Sequence, residues 1–199
     1  GVDAASVTVD LVNQTASGSA TGTDTLIGIE NATTGFGDDT LTGDAGVNVL
    51  DGGAGDDTID GAAGDDVITG NLGSDTIEGG AGADIAVFAG NLENYTFASS
   101  ADGLTLTVTD TETGDADTIT GVETLRFDDA DIGVSLNTTD NRMVLTGTSS
   151  ADTITVVGDV GIEIPGTDGA DTLTGDLGDD VFKGGADADD IAGGAGDDT

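Results

Sequence analysis

Residues 34–87 read TGFGDDTLT-GDAGVNVLD-GGAGDDTID-GAAGDDVIT-GNLGSDTIE-GGAGADIAV, six consecutive units of nine residues without an insertion. Position four is glycine in every unit: Gly37, Gly46, Gly55, Gly64, Gly73 and Gly82. Position six is Asp39, Asn48, Asp57, Asp66, Asp75 and Asp84, and position eight is Leu41, Leu50, Ile59, Ile68, Ile77 and Ala86. A fixed period of this kind marks a stacked-repeat architecture, in which one small unit is copied along an axis.

Each position has a physical reading. Positions seven to nine alternate outward, inward, outward, as in a short half-buried strand whose single inward aliphatic builds the core. The six residues before them must turn tightly, and glycine reaches positive φ without a Cβ penalty. A turn that aims its carbonyls inward and ends in a carboxylate offers oxygen ligands alone. Hard cations, calcium above all, match that ligand set. One buried Leu or Ile contributes roughly 2 kcal/mol, little against the entropy of ordering nine residues. The core cannot hold a unit by itself, and metal binding then becomes part of folding.

Composition is consistent with that dependence. Of 199 residues 35 are glycine and 40 are Asp or Glu, while Lys and Arg number 3, for a formal charge of −37. The cations are Arg126, Arg142 and Lys183. Such a balance excludes a phosphate-tracking nucleic-acid surface and disfavours an anionic lipid surface. The charge alone also fits an acidic disordered chain, a description expected to hold for the metal-free state. With neither Cys nor His, disulfides, thiolate sites and His-based catalysis or zinc binding are ruled out. No apolar run approaches the roughly 18 residues that span a membrane, and no signal peptide opens the sequence. Beginning at Gly1 and stopping midway through a unit at Thr199, the chain reads as a piece of a longer protein.

The units resemble the G-G-x-G-x-D-x-U-x nonapeptide of the RTX family, where U is a large aliphatic residue. The resemblance implies an all-β fold, a right-handed parallel β-roll (β-solenoid) with two nonapeptides per turn. It further implies calcium between the loops of repeats n and n+2, held by loop carbonyls and position-six side chains. In the first block that ligand set is Gly35, Gly37, Asp39, Gly46, Asn48, Gly53, Gly55, Asp57, Gly64, Asp66, Gly73, Asp75, Gly80, Gly82 and Asp84. The best matches are units 52–60, 61–69, 70–78 and 79–87. Asn48 in place of a carboxylate predicts a weakened site, and Ala86 in place of a large aliphatic predicts that the roll ends near Val87.

A second block follows Met143. GTSSADTIT at 147–155 keeps the period, with Asp152 and Ile154 at positions six and eight. Phase is lost through Val156–Pro165, and Asp152 lies 19 residues from Asp171, one more than two periods. The period resumes as GTDGADTLT, GDLGDDVFK, GGADADDIA and GGAGDDT over 166–199. The expected ligands there are Asp152, Gly166, Gly169, Asp171, Gly175, Gly178, Asp180, Gly184, Gly185, Asp189, Gly194, Gly196 and Asp198. Asp187 takes the place of a position-four glycine. Counting stacked loops gives about four ions in the first block and two in the second, roughly six in all.

The expected organisation is therefore a β-rich N-terminal flank at 1–33, a first roll at 34–87, a β-rich connecting segment at 88–146 and a second roll at 147–199. Val7–Val12, Asn94–Phe97 and Leu104–Thr109 read as strands. DTITGVETLRF at 117–127 resembles a segment that often follows RTX rolls, and DTLIGIEN at 24–31 is its cousin. Both are expected to shield roll ends, as solenoids require. Arg126 is expected to pair with a nearby acid. Asp129, Asp131 and Gly133 resemble the start of an EF-hand, but the twelfth position is Asp140 rather than Glu. The N-x-T sequences at Asn13, Asn31, Asn94 and Asn137 carry little weight in so Thr-rich a chain.

No catalytic motif is present, so the chain is read as not an enzyme. The family implies a secreted protein, exported by type I secretion and located outside or on a Gram-negative cell. A structural or adhesive surface role is expected, with the secretion and folding module of an RTX hydrolase as the alternative. Calcium ions are the expected partners, with cell-surface polysaccharide or self-association as further candidates.

Overall fold

The computed structural model describes residues 5–18 and 22–199; the parts of the expected N-terminal flank at 1–4 and 19–21 lie outside them. Two compact units are formed, one by residues 1–88 with 115–122 and the other by 89–114 with 123–199. Each unit is a parallel β-solenoid. Among the described residues one 3-10 turn, Leu92–Asn94, is the sole helical element, and no helix is long and apolar enough to cross a membrane.

In unit 1 the β-branched residues at positions seven to nine form short strands on two faces. One face stacks Thr40–Thr42, Thr58–Asp60, Thr76–Glu78 and Ala116–Thr120 in parallel, with Leu41 opposite Ile59, Ile59 opposite Ile77 and Ile77 opposite Ile119. The other stacks Asn31–Thr33, Val49–Ala54, Val67–Leu72 and Ile85–Val87. Within the repeats each partner lies 18 residues on, so two nonapeptides make one turn. The position-eight side chains of the six units at 34–87 are all buried. Val7–Asp10 adds a parallel strand beside Thr40–Thr42 and begins an antiparallel hairpin with Thr15–Gly18. The cousin segments diverge: Ile119, Val122, Leu125 and Phe127 are buried, whereas Ile27 is 80% and Ile29 43% exposed.

The stretch 88–146 is divided. Residues 115–122 add a strand to unit 1, although no nonapeptide includes them. The remainder opens unit 2 with the hairpin Tyr95–Ser99/Leu106–Asp110 and the antiparallel run Thr124–Arg126, Asp131–Asn137, Arg142–Thr146. Phe127 packs against Tyr95 (centroids 4.9 Å apart) and edge-on to Phe97 (6.2 Å). Parallel stacking then follows on both faces: Thr153–Val156, Thr172–Thr174 and Asp190–Ala192 on one, Glu163–Pro165 and Val181–Lys183 on the other.

The inserted residue is absorbed without breaking the stack. Thr153 pairs with Thr172 at an offset of 19, while Thr172 pairs with Asp190 at 18. Val156–Pro165, where the period is lost, still completes a half-turn, because Ile164 enters the core opposite Phe182. There Ile162 stands where other half-turns carry Asp: its N–H donates to Asp180 Oδ1 at 2.9 Å and Val181 N–H donates to its carbonyl at 3.0 Å.

Candidate metal centre

One hydrogen bond recurs along every stack. The backbone N–H at position six donates to Oδ1 of the position-six side chain one turn later. In unit 1 the bonds run from Asp39 to Asp57 (2.7 Å), Asn48 to Asp66 (2.8 Å), Asp57 to Asp75 (2.8 Å) and Asp66 to Asp84 (2.9 Å). In unit 2 they run from Asp152 to Asp171 (3.1 Å), Asp171 to Asp189 (3.1 Å) and Asp180 to Asp198 (3.0 Å). Each carboxylate thus spends one oxygen on holding the turn before it.

The second oxygen is the anomaly. Oδ2 of Asp57, Asp66, Asp75 and Asp180 is buried from solvent and has no hydrogen-bond partner in the protein. A buried acceptor left unsatisfied costs about 1–3 kcal/mol, and more when charged. Burial accordingly pushes the Asp57 carboxyl up to about 6, helped by the charges of Asp75, Asp39 and Asp38 and opposed by the Asp39 N–H. Burial raises Asp66, Asp75 and Asp180 in the same way. The protein's own cations form their ion pairs elsewhere: Arg126 pairs with Asp131 at 3.1 Å, Lys183 with Glu163 at 3.0 Å, and Arg142 lies 3.9 Å from Asp140, with its charge only partly offsetting the burial of Asp180. The first of these also places Asp131 in a strand, away from any EF-hand-like loop.

Glycine makes room for these oxygens. A Cβ on Gly52, Gly61 or Gly70 at position one would land on Oδ2 of Asp57, Asp66 or Asp75, as would one on Gly175 or Gly184 on Asp180 or Asp189. At position four, Gly55 (φ +129°) and Gly73 (φ +127°) adopt the left-handed backbone. A Cβ there would strike the carbonyl oxygens of Gly37 and Gly55, one turn earlier. The same holds for Gly64 and Gly82 above the carbonyls of Gly46 and Gly64, for Gly53 and Gly80 above those of Gly35 and Ala62, and for Gly169, Gly185, Gly194 and Gly196 in unit 2. A Cβ on Gly166 would meet Lys183 and Gly184 backbone, and one on Gly178 would meet Val160 and Gly161. Asp187 fills its position-four place at φ +77°.

Loop carbonyls and bare carboxylate oxygens are therefore brought together by consecutive turns. Among the described residues no group of three or more acidic side chains converges as a metal cage, so a cation at these loops would need backbone carbonyls beside the carboxylates. Oxygen-only ligands fit calcium, which takes six to eight.

The first residue of each position-six ladder differs from those that follow it. Asn48 is fully buried, yet its Oδ1 accepts from Asp44 N–H at 2.8 Å and its Nδ2 donates to the Glu30 carbonyl at 2.9 Å. Asp39 Oδ1 accepts from Val7 N–H at 2.6 Å and Oδ2 from Gly35 N–H at 3.4 Å. Asp152 Oδ2 accepts from Thr148 N–H at 2.7 Å, and Thr148 Oγ1 donates to the same carboxylate at 3.0 Å. Burial raises the Asp152 carboxyl, and the Thr148 bonds oppose it. In the fourth ladder the place is held by apolar Ile162. Of these positions the sequence singles out Asn48 alone, while Thr148 and Ile162 are the departures from the repeat that mark two of the others.

The family profile described as RTX calcium-binding nonapeptide repeat (4 copies) matches residues 20–59, 33–68, 51–86 and 165–199, together just over half of the chain. The chain belongs to the RTX calcium-binding nonapeptide repeat family. RTX repeats bind calcium, so calcium is the cation this chain takes, and the matched module is structural rather than catalytic. The RTX matches do not extend to 115–122 or 147–155; the nine-residue period marks the second, while the turn made by the first is visible in the structure alone. Among solved structures, the extracellular lipase LipA from Serratia marcescens is similar at 24% identity and a TM-score of 0.46, over 82% of this chain. This chain spans 29% of that lipase chain. No curated protein matches.

Proposed function

We propose that this RTX chain is a calcium-folded structural region of a secreted protein, with an adhesive or scaffolding role at the cell surface. The observation that carries the calcium part is the buried, unpartnered Oδ2 of Asp57, Asp66, Asp75 and Asp180. Asp57, Asp66, Asp75, Asp84, Asp171, Asp180, Asp189 and Asp198 are the proposed acidic ligands, completed by the carbonyls of the glycine-rich loops. Held by these carboxylates, calcium would neutralise them and would favour the close approach of consecutive turns. Asp Oδ1 and the backbone N–H groups set the register, and the position-one glycines keep the cradle open.

The cellular role follows from what the fold costs without metal. A chain of net charge −37 with one core residue per nonapeptide stays unfolded where calcium is scarce, which suits export by a type I channel. Folding then occurs outside, where extracellular modules work at about 10⁻⁴–10⁻³ M calcium. Stacked turns with outward threonines (Thr40, Thr58 and Thr76 in register) offer a regular surface for polysaccharide or for another copy. A catalytic domain elsewhere in the same polypeptide would instead make the region a secretion and folding module.

Equilibrium dialysis with radioactive calcium tests the ligand assignment. Roughly six ions per chain are expected at millimolar calcium. Fewer than two would overturn it.

A further inference from the structure

The first face of unit 1 does not end with its last nonapeptide. Thr118, Ile119 and Thr120 continue the strand stack beside Thr76, Ile77 and Glu78, and the residue just before them is Asp117. Asp75 N–H donates to Asp117 Oδ1 at 2.8 Å, and Thr118 N–H donates to the Asp75 carbonyl at 2.7 Å. The turn below shows the same pair of bonds: Asp57 N–H to Asp75 Oδ1 at 2.8 Å and Thr76 N–H to the Asp57 carbonyl at 2.8 Å. Asp117 thus occupies a position-six place although it lies 42 residues from Asp75 and outside every repeat. Two further bonds fix the segment to this turn, from Ala116 N–H to Ser74 Oγ at 3.0 Å and from Gly79 N–H to the Thr120 carbonyl at 2.9 Å.

We infer that Asp117 is a metal-binding carboxylate: it closes a divalent-cation site with the loop 70–75, where Asp75 presents a buried oxygen with no protein partner. This rests on the calcium reading of the repeats. Two observations point to a ligand there. Asp75 is 1% exposed and its Oδ2 lacks any partner. Asp117, 8% exposed, brings a second carboxylate into the same buried turn. Asp115 adds a third charge nearby, which helps to raise the Asp75 carboxyl behind the leading effect of burial. Asp117 Oδ1 also serves the fold by accepting the Asp75 N–H, a role an amide oxygen fills equally, so the feature that a structural cover leaves unexplained is the charge. The sequence signal is the tetrapeptide DTIT at 117–120, identical to 152–155.

Asp117→Asn separates the two roles, because an amide oxygen still accepts the Asp75 N–H but the charge is gone. In the full chain it is expected to bind one calcium fewer by equilibrium dialysis. The calcium midpoint of folding, read by circular dichroism, is expected to rise several-fold, while Asp102→Asn changes neither. An unchanged ion count with a midpoint within twofold of wild type overturns the inference. Wild-type protein that binds no calcium sinks the underlying reading instead. If Asp117→Asn does not fold at saturating calcium, Asp117→Glu decides: a folded chain with the full ion count supports a ligand, and failure of both variants to fold shows a structural role and overturns it.

Discussion

The half-turns that open the four position-six ladders and those that follow them share a backbone but not a solution for the buried position-six group. At the beginnings, Asn48, Asp39 and Asp152 are closed by protein donors and Ile162 has nothing to close. In the following turns, Asp57, Asp66, Asp75 and Asp180 keep one oxygen bare. Folded proteins rarely leave buried acceptors unpaired, so the difference separates turns that fold with the protein's own groups from turns that need an ion. It also gives the stack a direction: a metal-independent first half-turn offers a template on which calcium-dependent turns add.

The largest expected effect comes from removing a bare carboxylate. Asp66→Ala and Asp75→Ala each delete a proposed ligand and the acceptor for a backbone N–H, a loss of about 1.5–3 kcal/mol. The calcium midpoint of folding should rise about tenfold or more, whereas Asp102→Ala, at an exposed turn held by Ser100 and Leu104, should leave it in place. Equal midpoints for Asp66→Ala and Asp102→Ala would erase the distinction between the two kinds of turn.

Protonation should partly substitute for the ion. Burial raises the Asp57 carboxyl from its ordinary value near 3.8 to about 6 in the metal-free fold. The folded chain therefore binds that proton more tightly than the unfolded chain, and stability falls as pH rises through this window. In excess chelator the β signal in circular dichroism should be larger at pH 4 than at pH 7.5, while calcium binding read by equilibrium dialysis should weaken as pH falls below 6, because the proton competes for the same oxygen. A chelated chain with no more structure at pH 4 would count against the burial of these groups.

Asn48→Ala sharpens the comparison from the other side. It removes the bonds to Asp44 and Glu30 and should cost about 2 kcal/mol in urea denaturation of the calcium-loaded chain. The number of bound ions should not change; loss of an ion would make Asn48 a ligand. The smallest effect is expected at Ala62, whose φ of +70° suits glycine. Ala62→Gly should stabilise the loaded chain by about 0.5–1 kcal/mol, the relief of left-handed strain less the added chain entropy.

Most of the fold could be read from the nine-residue period, because one buried aliphatic per unit fixes both strand and register. Leu41, Ile59 and Ile77 align as that period requires. What escaped was held by geometry rather than spacing. Asp115–Val122 joins unit 1 across a long excursion, and no period links Asp117 to Asp75. Ile162 hides a regular half-turn, since an apolar residue replaces the acid and an insertion shifts the phase. The closure of Asn48 by Glu30 depends on a carbonyl one turn away, which composition does not reveal.

The central claim is that the bare carboxylates make this RTX fold depend on calcium. A circular-dichroism titration of the intact chain at pH 7.5, from excess chelator to millimolar calcium, tests it most directly. A largely unstructured spectrum in chelator that converts cooperatively to a β spectrum is predicted. A chain already β-rich in chelator and unchanged by calcium would contradict the account.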